Sequence, residues 1–166
     1  MKRTTFVSLL VVACLLCAGM ASWAATDQQT LTVNAQVLDK AKLTLGVAAI
    51  NFPDADPDGT PSIGASENPV SVTVKAHTGS ASVVSLTVQA SGDLEAGSSV
   101  IPITNVTWTA NGAGFVGGTM DTAPVAAGSW TGSGQRSGQF QYFLSNSWSY
   151  QTGDYSQTVV YTLTAP

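Results

Sequence analysis

Gly153-Asp154-Tyr155-Ser156-Gln157-Thr158-Val159-Val160-Tyr161-Thr162-Leu163-Thr164 reads as a corner followed by a strand. Gly and Asp both tolerate the backbone angles of a tight turn. From Tyr155 the stretch is rich in Thr, Val and Tyr, which suit a pleated, half-buried surface. Val159, Tyr161 and Leu163 fall on one face, and Thr158, Val160 and Thr162 on the other. One apolar face and one mostly polar face describe an antiparallel strand with water on one side. A strand of this kind needs partners, and the same period of two recurs along the chain.

Leu31, Val33, Ala35 and Val37 alternate with Thr32, Asn34 and Gln36, which predicts a first strand. Leu43-Thr44-Leu45 and Ala49-Ile50-Asn51-Phe52 are shorter candidates. Val70, Val72, Val74 and Ala76 alternate again, as do Val84, Leu86, Val88 and Ala90. Thr78-Gly79-Ser80 between those two runs predicts a hairpin. Ile101, Ile103 and Val106-Thr107-Trp108 add further strand, and Phe140, Tyr142 and Leu144 share a face in Gln139–Leu144. The segment from Asn111 to Gly138 is Gly-rich and weakly patterned, with Phe115-Val116 and Gly128-Ser129-Trp130 as short strand candidates. Within it, Gly132-Ser133-Gly134-Gln135-Arg136-Ser137-Gly138 reads as a flexible connection. Seven to nine strands joined by turn signals predict an all-β fold, an antiparallel immunoglobulin-like β-sandwich.

The beginning of the chain reads differently. Lys2-Arg3, the apolar run Phe6–Cys17 and the small residues of Ser22-Trp23-Ala24 have the layout of a secretory signal. Residues 1–24 are expected to be cleaved, leaving 25–166 as a single sandwich domain. Val11-Val12-Ala13-Cys14 also resembles a lipobox, but lipidation there would leave a second apolar stretch on the mature chain. The run is too short for a membrane-spanning helix, and no second one follows. The expected location is therefore outside the cytoplasm: periplasm, cell surface or medium.

Without its leader the chain keeps four basic and all ten acidic residues, a net charge of −6. Basic residues this sparse exclude a nucleic-acid surface. Cys14 and Cys17 leave with the leader, so the sandwich has to be held by its core rather than by disulfides. About 140 residues suffice for that, since a chain of this size buries roughly two-thirds of its unfolded surface.

Both ends of the chain carry a family resemblance. The Gly153-Asp154-Tyr155 corner with Thr158–Leu163 resembles the closing pattern of archaic chaperone–usher pilins and the related spore-coat-U-like secreted domains. Leu31–Val37 followed by Ile50-Asn51-Phe52 is similar to their opening strand pair. That family usually carries a disulfide between its first strand and the region of Val74; here Asp39-Lys40 and Lys75-Ala76 stand in those regions. The resemblance implies a subunit that lacks one strand and is completed by an alternating extension of a neighbour, that is, β-strand addition. It implies self-assembly, or a periplasmic chaperone and an outer-membrane usher, as partners. The expected strand-addition interface consists of Leu31, Val33, Val37, Val159, Tyr161 and Leu163. The plainer reading keeps Leu31–Val37 as the first strand of a complete sandwich.

Chemistry-bearing groups are few. Asp54-Ala55-Asp56-Pro57-Asp58-Gly59 matches the first half of a calcium loop. Its alternate carboxylates, Asp54, Asp56 and Asp58, could converge on one hard cation. The twelfth position, which wants Glu, holds Ala65, with Glu67 two residues late. His77 is the single histidine, and no Gly-x-Ser-x-Gly elbow exists. Asp93 and Glu95 are an acidic pair within one loop. The chain is therefore expected not to be an enzyme. Trp108, Trp130, Phe140, Tyr142, Phe143, Trp148, Tyr150, Tyr155 and Tyr161 are core candidates; the alternative for Trp148 and Tyr150 is a sugar-stacking platform. The expected function is that of a secreted, non-enzymatic structural subunit or surface-interaction module of pilin-like kind. The alternative is an extracellular binding module for calcium or carbohydrate.

Overall fold

The structure, a computed structural model, describes residues 27–166; the expected leader at 1–24 lies outside them. The chain divides into Met1–Ala35 and Gln36–Pro166. Of the first unit, residues 27–35 carry no regular structure and are exposed throughout.

Gln36–Pro166 holds eleven strands: β1 (Lys40–Leu45), β2 (Ser62–Gly64), β3 (Val70–His77), β4 (Val83–Ala90), β5 (Leu94–Ala96), β6 (Ser99–Ile101), β7 (Val106–Asn111), β8 (Gly118–Thr119), β9 (Val125–Thr131), β10 (Gly134–Ser145) and β11 (Val159–Thr164). Two antiparallel sheets carry the fold. The larger has the order β1-β3-β10-β7-β8, with β2 also on β10; the smaller has the order β11-β4-β9. A separate β5-β6 hairpin completes the set. The expected all-β sandwich is what forms, with more and shorter strands than the sequence pattern separates.

The alternation predicts which side chains point inward. Val70, Val72, Val74 and Ala76 of β3 face Val84, Leu86, Val88 and Ala90 of β4, and all eight are buried. β3 and β4 nevertheless belong to different sheets, so the hairpin expected at Thr78-Gly79-Ser80 is instead an arch between the two layers. Each strand has one apolar face, and an arch lets both faces meet across the core. Hydrogen-bonded neighbours would lay them side by side.

β10 corrects a second expectation. Gly134–Gly138 lies within this strand, paired to β3 from Gly134↔Ala76 to Phe140↔Val70, and is not a flexible connection. Gly138 makes room for a ring: a Cβ there would come 2.6 Å from the Phe115 side chain. Phe115 in turn meets Trp130 and Phe140 edge-on, at centroid distances of 4.9 and 5.8 Å. Just before β3 begins, Asn68 stands in for a strand residue. Its side-chain amide donates to the Tyr142 carbonyl at 2.8 Å, and its Oδ1 accepts from the Tyr142 N–H at 2.9 Å.

A third correction concerns Leu31–Val37. No strand forms there; the first begins at Lys40. Leu31, Val33 and Val37 are 85, 82 and 76 % exposed. Alternation makes a segment suitable for a sheet without supplying the edge it must pair with.

Candidate functional site

The two lateral sides of the sandwich are built differently. On the β8/β9 side, the segment between β7 and β8 folds into the gap. Val116 N–H donates to Ala127 O, Ser129 N–H to Gly114 O, and Phe115 bridges Gly128. The indoles are satisfied there too, Trp108 Nε1 donating to Val116 O and Trp130 Nε1 to Ala113 O, both at 2.9 Å. Gly114 sits at φ +83°, a conformation that favours glycine and lets its carbonyl turn toward Ser129.

The β1/β11 side has no such plug. β3 runs toward the arch at His77, and β1 starts opposite it, at Lys40↔His77. β11 finishes at the same end, where Thr164 pairs with Ser85 and the Thr78 hydroxyl donates to the Pro166 carbonyl. The sandwich is closed there. Toward the other end, residues 45–52 and the connection 146–158 leave a groove of ≈ 1380 Å³. Leu45, Val47, Ile50 and Phe52 line one lip, and Tyr155, Val159 and Tyr161 the other. Its floor is core: Val70, Ile103, Tyr142 and Leu144 are all buried yet line it.

Each lip adjoins an edge strand, Leu45 of β1 on one and Val159–Tyr161 of β11 on the other, and the register shows which of their backbone groups face away from the sheet. Gly46 N–H donates to Ser71 O across β1 and β3. Ser91 N–H donates to Thr158 O across β4 and β11. In an antiparallel pair, residues alternate between bonding the neighbour strand and facing away from it. Leu43 and Leu45, and likewise Val159, Tyr161 and Leu163, therefore direct N–H and C=O away from their only partner strand. These are the same residues whose half-buried side chains pack on the core. Of these, Leu45, Val159 and Tyr161 line the groove, which thus offers apolar side chains and outward-facing backbone groups together.

One lip is pinned by a charged clamp. The Asn51 backbone N–H and side-chain amide donate to the two Glu67 carboxylate oxygens, each at 2.7 Å. Hydrogen bonds from the Asn51 side chain first, and its backbone second, hold the Glu67 carboxyl below its usual range. On the floor, the Tyr142 and Tyr161 hydroxyls bond each other at 2.8 Å, and Tyr161 stacks on Phe140 with ring centroids 6.0 Å apart. Burial pushes both phenols up, and for Tyr161 the neighbouring Tyr142 adds to the rise. The sequence pattern offered no signal for the Glu67 clamp or the tyrosine pair.

The expected site residues are distributed as follows. Val159, Tyr161 and Leu163 lie on the groove edge strand. Leu31, Val33 and Val37 are exposed. Asp54, Asp56 and Asp58 do not form a cage: among the described residues no three His, Cys, Asp or Glu side chains converge as metal ligands. Asp56 Oδ1 accepts from the Asp58 N–H, and Asp58 Oδ1 from Trp148 Nε1 at 3.0 Å. The loop is tied down by Asn146, whose side-chain amide donates to Ala55 O and Thr60 O. Trp148 is 71 % exposed, whereas Tyr150 packs on the core and donates to Ser145 O. The two differ in how much ring they present. Among the described residues no helix is long and apolar enough to cross a membrane. The chain matches no family model, and no curated protein is significantly similar to it.

Proposed function

We propose that this chain is an exported structural subunit of pilin-like kind that assembles by β-strand addition. The alternating segment Leu31–Val37 of one copy would enter the β1/β11 groove of the next, setting Leu31, Val33 and Val37 against the face of Val159, Tyr161 and Leu163. A periplasmic chaperone would protect the groove before assembly, and an outer-membrane usher would be the assembly site. The observation that carries the reading is the groove itself: an unplugged core flanked by two free strand edges, in a chain that also exposes an unpaired alternating segment.

Magnitudes say what the contact must contain. Burying Leu31, Val33 and Val37 contributes on the order of 1.5–3 kcal/mol each. Ordering seven backbone residues costs roughly 1–2 kcal/mol per residue, so side-chain burial alone falls short or breaks even. Hydrogen bonds along the free edges and burial of the half-exposed lips have to supply the surplus. A six-residue β11 facing a seven-residue donor is long enough to supply them.

The test is a Val33→Asp variant of the mature protein, followed by sedimentation and thermal unfolding. The variant is expected to melt with the wild type as a monomer and to lose assembly, because a carboxylate cannot be buried unpaired in an apolar pocket. Unchanged assembly would overturn the proposal.

A further inference from the structure

The linear sequence scatters its charges, but the fold sorts them. In Gln36–Pro166 the basic residues are Lys40, Lys42, Lys75 and Arg136. Lys42 stands directly opposite Lys75, Lys40 opposite His77, and Arg136 opposite Val74. All four cations thus occupy the closed half of the sandwich, with Asp39 as the only acid beside them. The acidic residues of the open half share the end of the sandwich at which the groove opens, and Asp54, Asp56 and Asp154 line the groove itself. Asp54, Asp56 and Asp58 lie in the loop held by Asn146 at the end of β10. Glu67 grips Asn51 on the lip. Asp93 accepts from Ile103 N–H, Glu95 bridges Ser156, and Asp121 accepts from Ala90 N–H. Asp154 lies in the connection that forms the second lip. The open half therefore carries eight acids and no base, and the closed half a net charge of +3.

We infer that this axial charge separation is a docking interface between two copies of this chain, the basic closed half of one against the acidic groove mouth of the next. The inference deepens the strand-addition reading and rests on it for the identity of the partner. Only Leu38 and Asp39 separate Val37 from β1. Two extended residues span about 7 Å, so a donor segment seated in a neighbouring groove brings its own closed half to the place where it leaves that groove. If it leaves at the mouth, +3 meets −8; leaving at the closed end would put two basic halves together. Opposite potentials of this size orient an encounter before any strand pairs, and they act on the association rate more than on the final affinity. Lys42 facing Lys75 across a strand pair is mildly unfavourable within one subunit, and a neighbour's carboxylates would relieve it.

The experiment follows assembly of the mature protein by light scattering at about 0.01 M and about 1 M salt, where the screening length is about 30 and about 3 Å. Three variants accompany the wild type: Lys42→Glu/Lys75→Glu, Asp54→Lys/Asp154→Lys, and Val33→Asp. All four charged positions are exposed, so folding is unaffected. At low salt Lys42→Glu/Lys75→Glu, which turns the closed half from +3 to −1, is expected to assemble at least about tenfold more slowly than wild type, and Asp54→Lys/Asp154→Lys, which halves the mouth to −4, is expected to be slowed by less. An equimolar mixture of the two should recover the early rate through the one junction that keeps both native surfaces, the +3 closed half of Asp54→Lys/Asp154→Lys against the −8 mouth of Lys42→Glu/Lys75→Glu. At high salt the differences should vanish. Charge variants that assemble at the wild-type rate at low salt would overturn the inference, while loss of assembly in Val33→Asp would leave strand addition standing. Salt-dependent association of Val33→Asp would instead support charge pairing and sink strand addition. A wild type that stays monomeric at every concentration and both salts overturns both.

Discussion

The β8/β9 side and the β1/β11 side begin from the same problem, two sheets whose edges leave the core open to water. On the first, a glycine-rich segment bends in and seats Phe115 between Trp130 and Phe140. On the second, nothing bends in, and Leu45, Ile50, Phe52 and Tyr161 stay half-buried over a floor of buried side chains. The sealed side resembles the interior of any globular domain. The open side resembles the same interior with one strand removed. The difference shows that the core is enclosed along one edge and partly open to water along the other.

Truncations on the two sides should therefore differ in kind. Phe115→Ala removes a ring enclosed on all sides and is expected to cost about 3–5 kcal/mol. Ile50→Ala, at a lip already half in water, should cost only about 1 kcal/mol. Denaturant unfolding of both variants checks this, and equal losses would mean that the open side is as enclosed as the sealed one. Under the strand-addition proposal Ile50→Ala should also weaken assembly, which Phe115→Ala cannot do selectively.

A smaller effect sharpens the same comparison at the groove floor. Tyr161→Phe removes the hydroxyl bonded to Tyr142 and should cost about 0.5–1.5 kcal/mol. Both phenols have raised values in the folded chain, so their contribution is fully present below the ordinary tyrosine value of about 10 and declines above it. Wild-type stability is expected to fall as pH rises past that value, and less steeply in Tyr161→Phe. Parallel curves would mean that the pair is not shielded from solvent.

The smallest effect concerns the acidic loop on the groove rim. Asp56 and Asp58 are already occupied by a backbone amide and the Trp148 indole, so millimolar calcium should leave the melting temperature unchanged. A site filled at a hundredfold excess over its dissociation constant would add about 2.7 kcal/mol, a gain that thermal unfolding would reveal.

Much of this was legible beforehand, for a local reason. The inward faces of β3, β4, β10 and β11 follow from residue parity: Val72 or Leu86 is buried wherever its strand is placed, because side chains alternate. The strand nature of Val159–Leu163 is of this kind, as is the burial of Trp108, Phe140 and Tyr142, whereas Phe143 and Trp148, expected in the core, lie outside it. The acidic loop was readable as a loop, but its half-motif could not show that Asn146 and Trp148 would claim it.

What the sequence by itself determined is the apolar face of each strand and the all-β class, since both depend on neighbours one or two residues apart. The tertiary structure alone decided that β3 and β4 part into different sheets. It also decided that Gly134–Gly138 pairs rather than flexes, and that Leu31–Val37 finds no edge among the described residues. Likewise it gathered eight carboxylates at one end and four cations at the other. Each of these depends on which distant segments become neighbours, and pairing is a property of the edge that receives a strand as much as of the strand itself.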